Sequence, residues 1–412
     1  MTQSVLVSNF ATQQQLKQPL RFITATSLFD GHDAAINIMR RILQSQGVEV
    51  IHLGHNRSVQ EIVQAAIQED ADAIAVSSYQ GGHMEFFKYL IDQLRAHQAQ
   101  AIKVFGGGGG VILSDEIREL QQYGVTRIYA PEDGQQLGLQ GMIADVIGRC
   151  RESQPNNTRP VDKIRYKNSY RLSKLLSEIE NTGLSIAKRR VLHNKALAAK
   201  INTPILGITG TGGAGKSSVM DELIQRLRSQ YEDTLSIGII AVDPSRKKTQ
   251  GALLGDRIRM NAINASNIYM RSMATRATST EIPDVLPDCI DAMLVNGFDL
   301  IIVETSGIGQ GDIGIVGLVD VSLYVMTAEF GAGLQLEKIG MLDYADIIAI
   351  NKFDHKGSKD ALHAVQKQMQ RNREDFNVEP STMPVYGTRA THINDQGLSL
   401  LYQQLCDLLI DQ

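Results

Sequence analysis

From Leu20 onward, short apolar runs alternate with longer stretches in which apolar positions recur at three- and four-residue spacing. The runs Leu20–Ala25, Val48–Leu53, Ala73–Ser77, Lys103–Phe105 and Arg127–Tyr129 predict strands. The stretches Ala34–Gln46, Val59–Glu69, Phe86–His97, Ser114–Gln122 and Leu139–Cys150 between and after them predict helices. Strand followed by helix, repeated at this length, implies a doubly wound parallel sheet with helices on both faces and a ligand site at the carboxyl ends of its strands.

The pattern breaks at Arg151–Pro160, a stretch with two Pro and several Asn and Ser that reads as a linker. Asp162–Lys200 regains helical spacing and is basic, with Lys188, Arg189 and Arg190 in a row; the plain reading of that run is a solvated helix face. A second β/α series begins at Pro204, with strands expected at Ile205–Ile208, Ser236–Val242, Leu300–Val303, Val321–Met326 and Ile347–Ile350 and a last helix at Leu398–Ile410. The expected organisation is a tail (1–19), a first α/β domain (20–150), a linker and helical segment (151–203) and a second α/β domain (204–412).

Composition removes several classes of function. A formal charge of -4 gives no electrostatic reason to expect nucleic acid. Cys150, Cys289 and Cys406 are far apart and form no C-x-x-C pair, so neither a disulfide framework nor a zinc site is indicated. The first residues lack a cationic start followed by an apolar run, and nowhere do 18 apolar residues follow one another, so the cytoplasm is the expected location and no membrane is expected as a partner.

Chemistry enters at Gly210-Thr211-Gly212-Gly213-Ala214-Gly215-Lys216-Ser217, which satisfies G-x-x-x-x-G-K-[ST] between an expected strand and an expected helix. Its glycines let backbone N–H groups turn toward phosphate oxygens at a helix N-terminus. Lys216 is expected at the β and γ phosphates, Ser217 on Mg²⁺, and Ser218 beside it in the nucleotide shell. Asn351-Lys352-Phe353-Asp354 follows a strand where GTPases read the base. The Asp354 carboxylate can accept from N1–H and the 2-amino group of guanine, so GTP is expected over ATP, with Thr388 also in the nucleotide shell. Asp243 and Glu304 close two strands and Asp256 lies in Leu254-Gly255-Asp256-Arg257; all three are expected around the metal, with Lys216, Asp243 and Glu304 as the catalytic set. Glu304-Thr305-Ser306-Gly307 stands where many GTPases carry D-x-x-G, whose Gly N–H contacts the γ-phosphate.

In the first half, Asp30-Gly31-His32-Asp33 follows the first strand, and small residues mark three other strand exits: Ser77 to His83, Gly106 to Gly110 and Pro131 to Gly134. Such exits imply a wide, flat cavity rather than a compact side-chain site. The layout resembles the flavodoxin-like cobalamin-binding domain of adenosylcobalamin-dependent mutases, whose D-x-H-x-x-G motif supplies the lower axial His to cobalt. Here Asp30 and His32 match, and Ala35 stands at the final Gly. The resemblance implies that His32 binds cobalt, that Asp30 orients its imidazole, that Ser77 contacts the displaced nucleotide tail and that Gly107 and Gly108 let that tail lie against the sheet.

The second half resembles the G-protein chaperones of those mutases at Ala241–Ser245, Gly255–Met260, Glu304–Gln310 and Asn351–Asp354. Both halves in this order are similar to fused acyl-CoA mutases of the isobutyryl-CoA/butyryl-CoA type. The resemblance implies a GTP-hydrolysing, adenosylcobalamin-binding portion of such a mutase that couples GTP state to cofactor loading or protection. A substrate barrel needs about 250 residues, so it is expected in another chain or in a further part; a pair of identical chains is one allowed assembly. Two rivals are a cobalamin carrier or sensor with a GTP switch, and a nickel or cobalt metallochaperone using His32, His52, His55 and His83. The Gly-rich loop Glu329–Leu336 is the expected relay between nucleotide and cofactor.

Overall fold

The computed structural model describes residues 18–152, 169–245, 251–276, 282–305, 307, 313–331, 336–337 and 339–410. The expected N-terminal tail up to residue 17 and the linker Arg151–Pro160 from residue 153 onward lie outside them.

The first series runs β1 (Arg21–Ser27), α1 (Ala34–Ser45), β2 (Glu49–Arg57), α2 (Val59–Gln68), β3 (Ala73–Ser77), α3 (His83–Ala96), β4 (Lys103–Gly107), α4 (Ser114–Tyr123), β5 (Arg127–Tyr129) and α5 (Pro131–Glu152). β1 and β3 are almost wholly buried, as expected of parallel strands covered on both faces. Local signals set the helix starts. Ser58 and Glu61 form a reciprocal capping box at the head of α2, satisfying two N–H groups that the first turn leaves without partners. α5 starts earlier than its apolar spacing predicts and breaks at Gly138, where φ is 62°. The strand order β5-β4-β3-β1-β2 reverses direction between β1 and β3, which puts their exits on either side of a crevice.

α6 (Ser169–Thr182) and α7 (Ile186–Lys200) then lead into the second series: β6 (Ile205–Gly210), α8 (Lys216–Gln230), β7 (Ile237–Asp243), β8 (Ala252–Leu254), β9 (Ile268–Ala274), α9 (Leu286–Asn296), β10 (Leu300–Glu304), β11 (Val321–Met326), β12 (Ile347–Asn351), α10 (Ser358–Asn372), β13 (Val385–Thr388) and α11 (Gln396–Ile410). Seven of these strands form a parallel sheet in the order β13-β12-β11-β6-β10-β7-β9.

β8 does not join them. It lies within the stretch expected to build the second sheet, yet it pairs in parallel with β2 of the first, Glu49 opposite Ala252 and Ile51 opposite Leu254. Ala252 and Leu254 are fully buried in the apolar core of the first sheet. The chain approaches tightly here: a Cβ on Gly251 would collide with the Gln44 carbonyl at the end of α1.

The two sheets also share a buried ionic cluster at the end of the first sheet away from its strand exits. The Arg21 guanidinium meets Glu49 at 2.8 Å, Glu180 of α6 at 2.8 Å and Glu69 at 3.4 Å. Arg257 meets Glu69 at 2.7 Å, Arg271 of β9 meets Glu180 at 2.7 Å, and Arg276 meets Glu49 at 3.0 Å. Burial alone would raise the Glu180 carboxyl, but Arg21, Arg271 and Arg276 together pull it down to about 2. Removing one partner from such a cluster leaves an uncompensated buried charge, which is far more costly than the intact set is stabilising.

Candidate functional site

The loop after β6 owes its shape to glycine. Gly213 and Gly215 have φ of 77° and 88°, the left-handed region that residues with a Cβ avoid. α8 begins directly behind, so its first N–H groups face the loop. Lys216 folds over it, with Nζ 3.3 Å from Gly210 O and 3.4 Å from Thr211 O. Gly307, at φ 64°, comes so close that a Cβ would collide with this ammonium group, and the Gly307 carbonyl lies beside Gly212. Ser217 Oγ donates to Glu304 Oε1 at 2.9 Å, joining the head of α8 to the end of β10. Ala214 is buried and Ser218 half-buried beside it. Asp243 closes β7, the neighbour of β10 in the sheet, and its Oδ2 accepts from the N–H of Gly255 at 3.1 Å. The side chain of Asp256 lies outside the described residues.

Asn351 ties this loop to the next one. Its Nδ2 donates to Ala214 O at 2.8 Å, while its Oδ1 accepts from Thr388 Oγ1 at 3.3 Å and Ala390 N at 3.2 Å. Lys352 then turns with φ 57°, the Phe353 ring packs where a Cβ on Gly387 would stand, and Asp354 is left exposed. The structure thus brings Lys216, Ser217, Glu304, Gly307, Asn351 and Thr388 into one cradle. Of the loop expected as a relay, Glu329–Leu336, residues 329–331 and Leu336 are described and Gly331 packs against Ala361 of α10; residues 332–335 lie outside the described residues.

At the exit of β1, Asp30 is buried and fixes three groups: Oδ1 accepts from His32 N at 2.8 Å and His32 Nδ1 at 2.9 Å, and Oδ2 accepts from Tyr79 N at 2.6 Å. Burial acts to raise the Asp30 carboxyl, but the hydrogen bonds from Tyr79 and His32 outweigh it and hold it below its ordinary value. An ionised carboxylate at Nδ1 places the ring hydrogen there, so the Nε2 lone pair faces outward. The His32 side chain is 78% exposed, and the Tyr79 ring stands 5.8 Å away.

Ser77 lies beside them with Oγ buried and without a hydrogen-bond partner among the described residues. The Gly run is explained by close approach. A Cβ on Gly106 would stand 2.6 Å from Phe87, and one on Gly108 would collide with the Ser78 carbonyl, while Gly107 has room. An outward imidazole, a buried hydroxyl without a partner at the end of β3 and a glycine-lined exit of β4 fit a large planar cofactor.

The other histidines do not converge on His32. His52 is buried against Thr24 Oγ1 at 2.9 Å, and His83 is held by Gln80 O and Glu116. Among the described residues no group of three or more His, Cys, Asp or Glu side chains is set to hold a metal ion. Asn56 has a part that sequence reasoning missed. It takes φ 55°, and its Oδ1 accepts from Phe29 N at 2.7 Å, pinning the loop that carries His32 to the end of β2. The legible signal was Gly54-His55-Asn56, since Asn tolerates the left-handed region better than most residues.

Fold and sites together define a P-loop GTPase joined to a B12-binding domain. The family model of the methylmalonyl-CoA mutase-associated GTPase MeaB matches residues 172–408, more than half of the chain, and that of the B12-binding domain matches residues 20–134. The chain belongs to the MeaB family of GTPases and carries a B12-binding domain ahead of the GTPase. It is 61% identical over 392 residues to a fused isobutyryl-CoA mutase of Cupriavidus metallidurans, covering 95% of this chain and 36% of that protein. Proteins of the same name from Geobacillus kaustophilus and Nocardia farcinica are 54% and 52% identical, over 95% and 97% of this chain and 37% of each of theirs. The chain thus spans about a third of the length of the curated relatives it matches. No helix among the described residues is long and apolar enough to cross a membrane.

Proposed function

We propose that this chain is the GTP-hydrolysing, adenosylcobalamin-binding portion of an acyl-CoA mutase of the isobutyryl-CoA/butyryl-CoA type, acting in the cytoplasm, in which nucleotide state governs cofactor loading or protection. The observation that carries the reading is the Asp30–His32 pair: a buried carboxylate that fixes Nδ1 and turns Nε2 outward on a chain that also holds a complete P-loop. The names of the relatives support the acyl-CoA class, and the substrate-binding part is assigned to another chain or a further part of the same one.

When bound, adenosylcobalamin supplies the radical chemistry of a carbon-skeleton rearrangement. This chain's residues would bind and orient it: His32 would offer Nε2 to the cobalt, Asp30 would set the ring, and Ser77, Gly107 and Gly108 would receive its nucleotide tail. On the other sheet, Gly212 to Gly215 and Ser218 surround phosphate oxygens and Lys216 offsets their charge. Ser217, Asp243 and Glu304 would hold Mg²⁺, with Asp256 as a further candidate, and the Gly307 N–H would serve the γ-phosphate. Asn351, Lys352, Asp354 and Thr388 hold guanine.

Electron paramagnetic resonance of the cob(II)alamin form with ¹⁵N-labelled histidine tests the assignment. A coupling from one protein nitrogen is expected in the parent and its loss in His32→Ala. Tight cobalamin binding by the parent without that coupling would refute it.

A further inference from the structure

The stretch after Asp243 serves both sheets. Asp243 closes β7 of the nucleotide sheet, and its Oδ2 holds the N–H of Gly255. Ser245 bridges back to Ala252 in antiparallel fashion, and Gly255 directly follows β8, which is paired with β2 and buried in the core of the first sheet. Further on, Ile258 fills the space in front of Gly54 of β2, where a Cβ would stand 2.9 Å from it, and Arg257 is clamped by Glu69 and Gln68 of the first unit. The carboxylate expected on the metal is therefore two hydrogen-bonded steps from β2.

β2 in turn ends on the His32 loop. Asn56 N donates to Thr26 Oγ1 at 3.1 Å, Thr26 Oγ1 donates to Asp30 O at 2.9 Å, and Asn56 Oδ1 accepts from Phe29 N at 2.7 Å. Phe29 itself has φ of 65°, a conformation that a bulky residue keeps only when its surroundings hold it.

We infer that β8 is a coupling strand: nucleotide occupancy at Asp243 changes the hold on Gly255, shifts β8 along β2, and through Asn56 resets the loop that presents His32. The inference rests on the reading of Asp243 as a metal-shell residue and of His32 as the cobalt ligand. One carboxylate serves both the metal shell and the Gly255 N–H, so drawing it toward a cation weakens or redirects that hydrogen bond. Linkage then requires that cobalamin change nucleotide affinity by the same factor as nucleotide changes cobalamin affinity.

Gly255 allows a clean test. It has φ of -104°, and a Cβ there meets only Leu253 at 3.7 Å, so Gly255→Ala keeps the N–H while Gly255→Pro deletes it. Adenosylcobalamin would be titrated by its visible spectrum into the full chain with Mg²⁺ and either GDP or a non-hydrolysable GTP analogue. The parent and Gly255→Ala are expected to show cobalamin affinities that differ between the two nucleotides by roughly 5–150-fold, falling to within about twofold in Gly255→Pro with both ligands still bound. Asn56→Gly, which keeps the left-handed backbone and loses only the acceptor for Phe29, should uncouple in the same way and decides the matter if Gly255→Pro does not fold. Full nucleotide dependence in Gly255→Pro or in Asn56→Gly would overturn the inference, as would uncoupling in Gly255→Ala or a parent that binds both ligands independently. A parent that fails to bind one of the two ligands would instead overturn the proposed function.

Discussion

At the P-loop, Lys216, Ser217, Glu304 and Asn351 are between 3% and 7% exposed and hold one another or the loop's own carbonyls, whereas at the exit of β1 the His32 ring is 78% exposed and the carboxylate that fixes it is buried behind it. The difference follows from the size of what each would bind. Phosphates and a small cation need many donors at fixed short distances, so the protein must set those donors in advance. A large rigid cofactor brings its own shape, and the protein need contribute only a floor without bulk and one aimed nitrogen. A site of the first kind is a closed network; one of the second is a platform.

The two sites are independent in build only if disabling one leaves the other working. The largest effect is expected from Lys216→Ala, which should lower GTP turnover roughly 10²–10³-fold in a phosphate-release assay, because a fixed cation opposite developing phosphate charge is lost. Cobalamin titration of the same variant without nucleotide should match the parent. Asp30→Ala probes the platform. The His32 ring would lose orientation and basicity, weakening cobalamin binding roughly 10–100-fold, while GTP turnover without cobalamin stays at the parent's rate.

The platform side also contains a pH-sensitive element. Burial, with the nearby charge of Arg40 adding to it, lowers His52 from 6.5 to about 4. The unfolded chain therefore takes up this proton first as pH falls, and stability present above pH 6.5 is lost progressively toward pH 4. Between pH 7 and pH 5 the contribution is about 2 kcal/mol. His52→Asn should flatten the pH dependence of urea unfolding over that interval by this amount. The smallest change is expected from Asp354→Asn, which should weaken GTP roughly tenfold by removing a charged acceptor and favour xanthosine triphosphate, whose 2-carbonyl suits an amide donor. Unchanged GTP affinity in that variant would separate the base-reading motif from the closed network.

What could be read from the chain alone divides along the same line. The P-loop and Asn351–Asp354 are contiguous motifs in which each residue type is demanded by a donor, a turn or a close approach, so nearly the whole cradle was legible. The Asp30–His32 pair was legible as a motif, whereas the burial of the Ser77 hydroxyl emerges only from the fold. β8 was not legible. Ala252-Leu253-Leu254 is too short to show a period, and its partner lies about 200 residues earlier in the chain. Nor were the buried arginines and glutamates, since isolated charges in sequence are indistinguishable from solvated ones until the fold brings Arg21, Glu69 and Arg271 inside. β9 and β13 were missed for a milder reason, being apolar runs interrupted by Arg271 and Gly387.

The shared ionic cluster has a consequence for anyone who would cut or transplant these modules. A cut in the segment around residue 160 leaves Arg21, Glu49 and Glu69 on one piece, one cation against two anions. The other piece keeps Glu180 with Arg257, Arg271 and Arg276, one anion against three cations. Each piece would expose or bury a charge surplus that its counterpart now cancels, and the first would also display the bare edge of β2, an invitation to pair with other chains. The smallest cassette that can be moved intact is therefore the pair, and a cobalamin module grafted from elsewhere would have to bring both a matching acid at positions 49 and 69 and a vacant strand edge to receive residues 252–254.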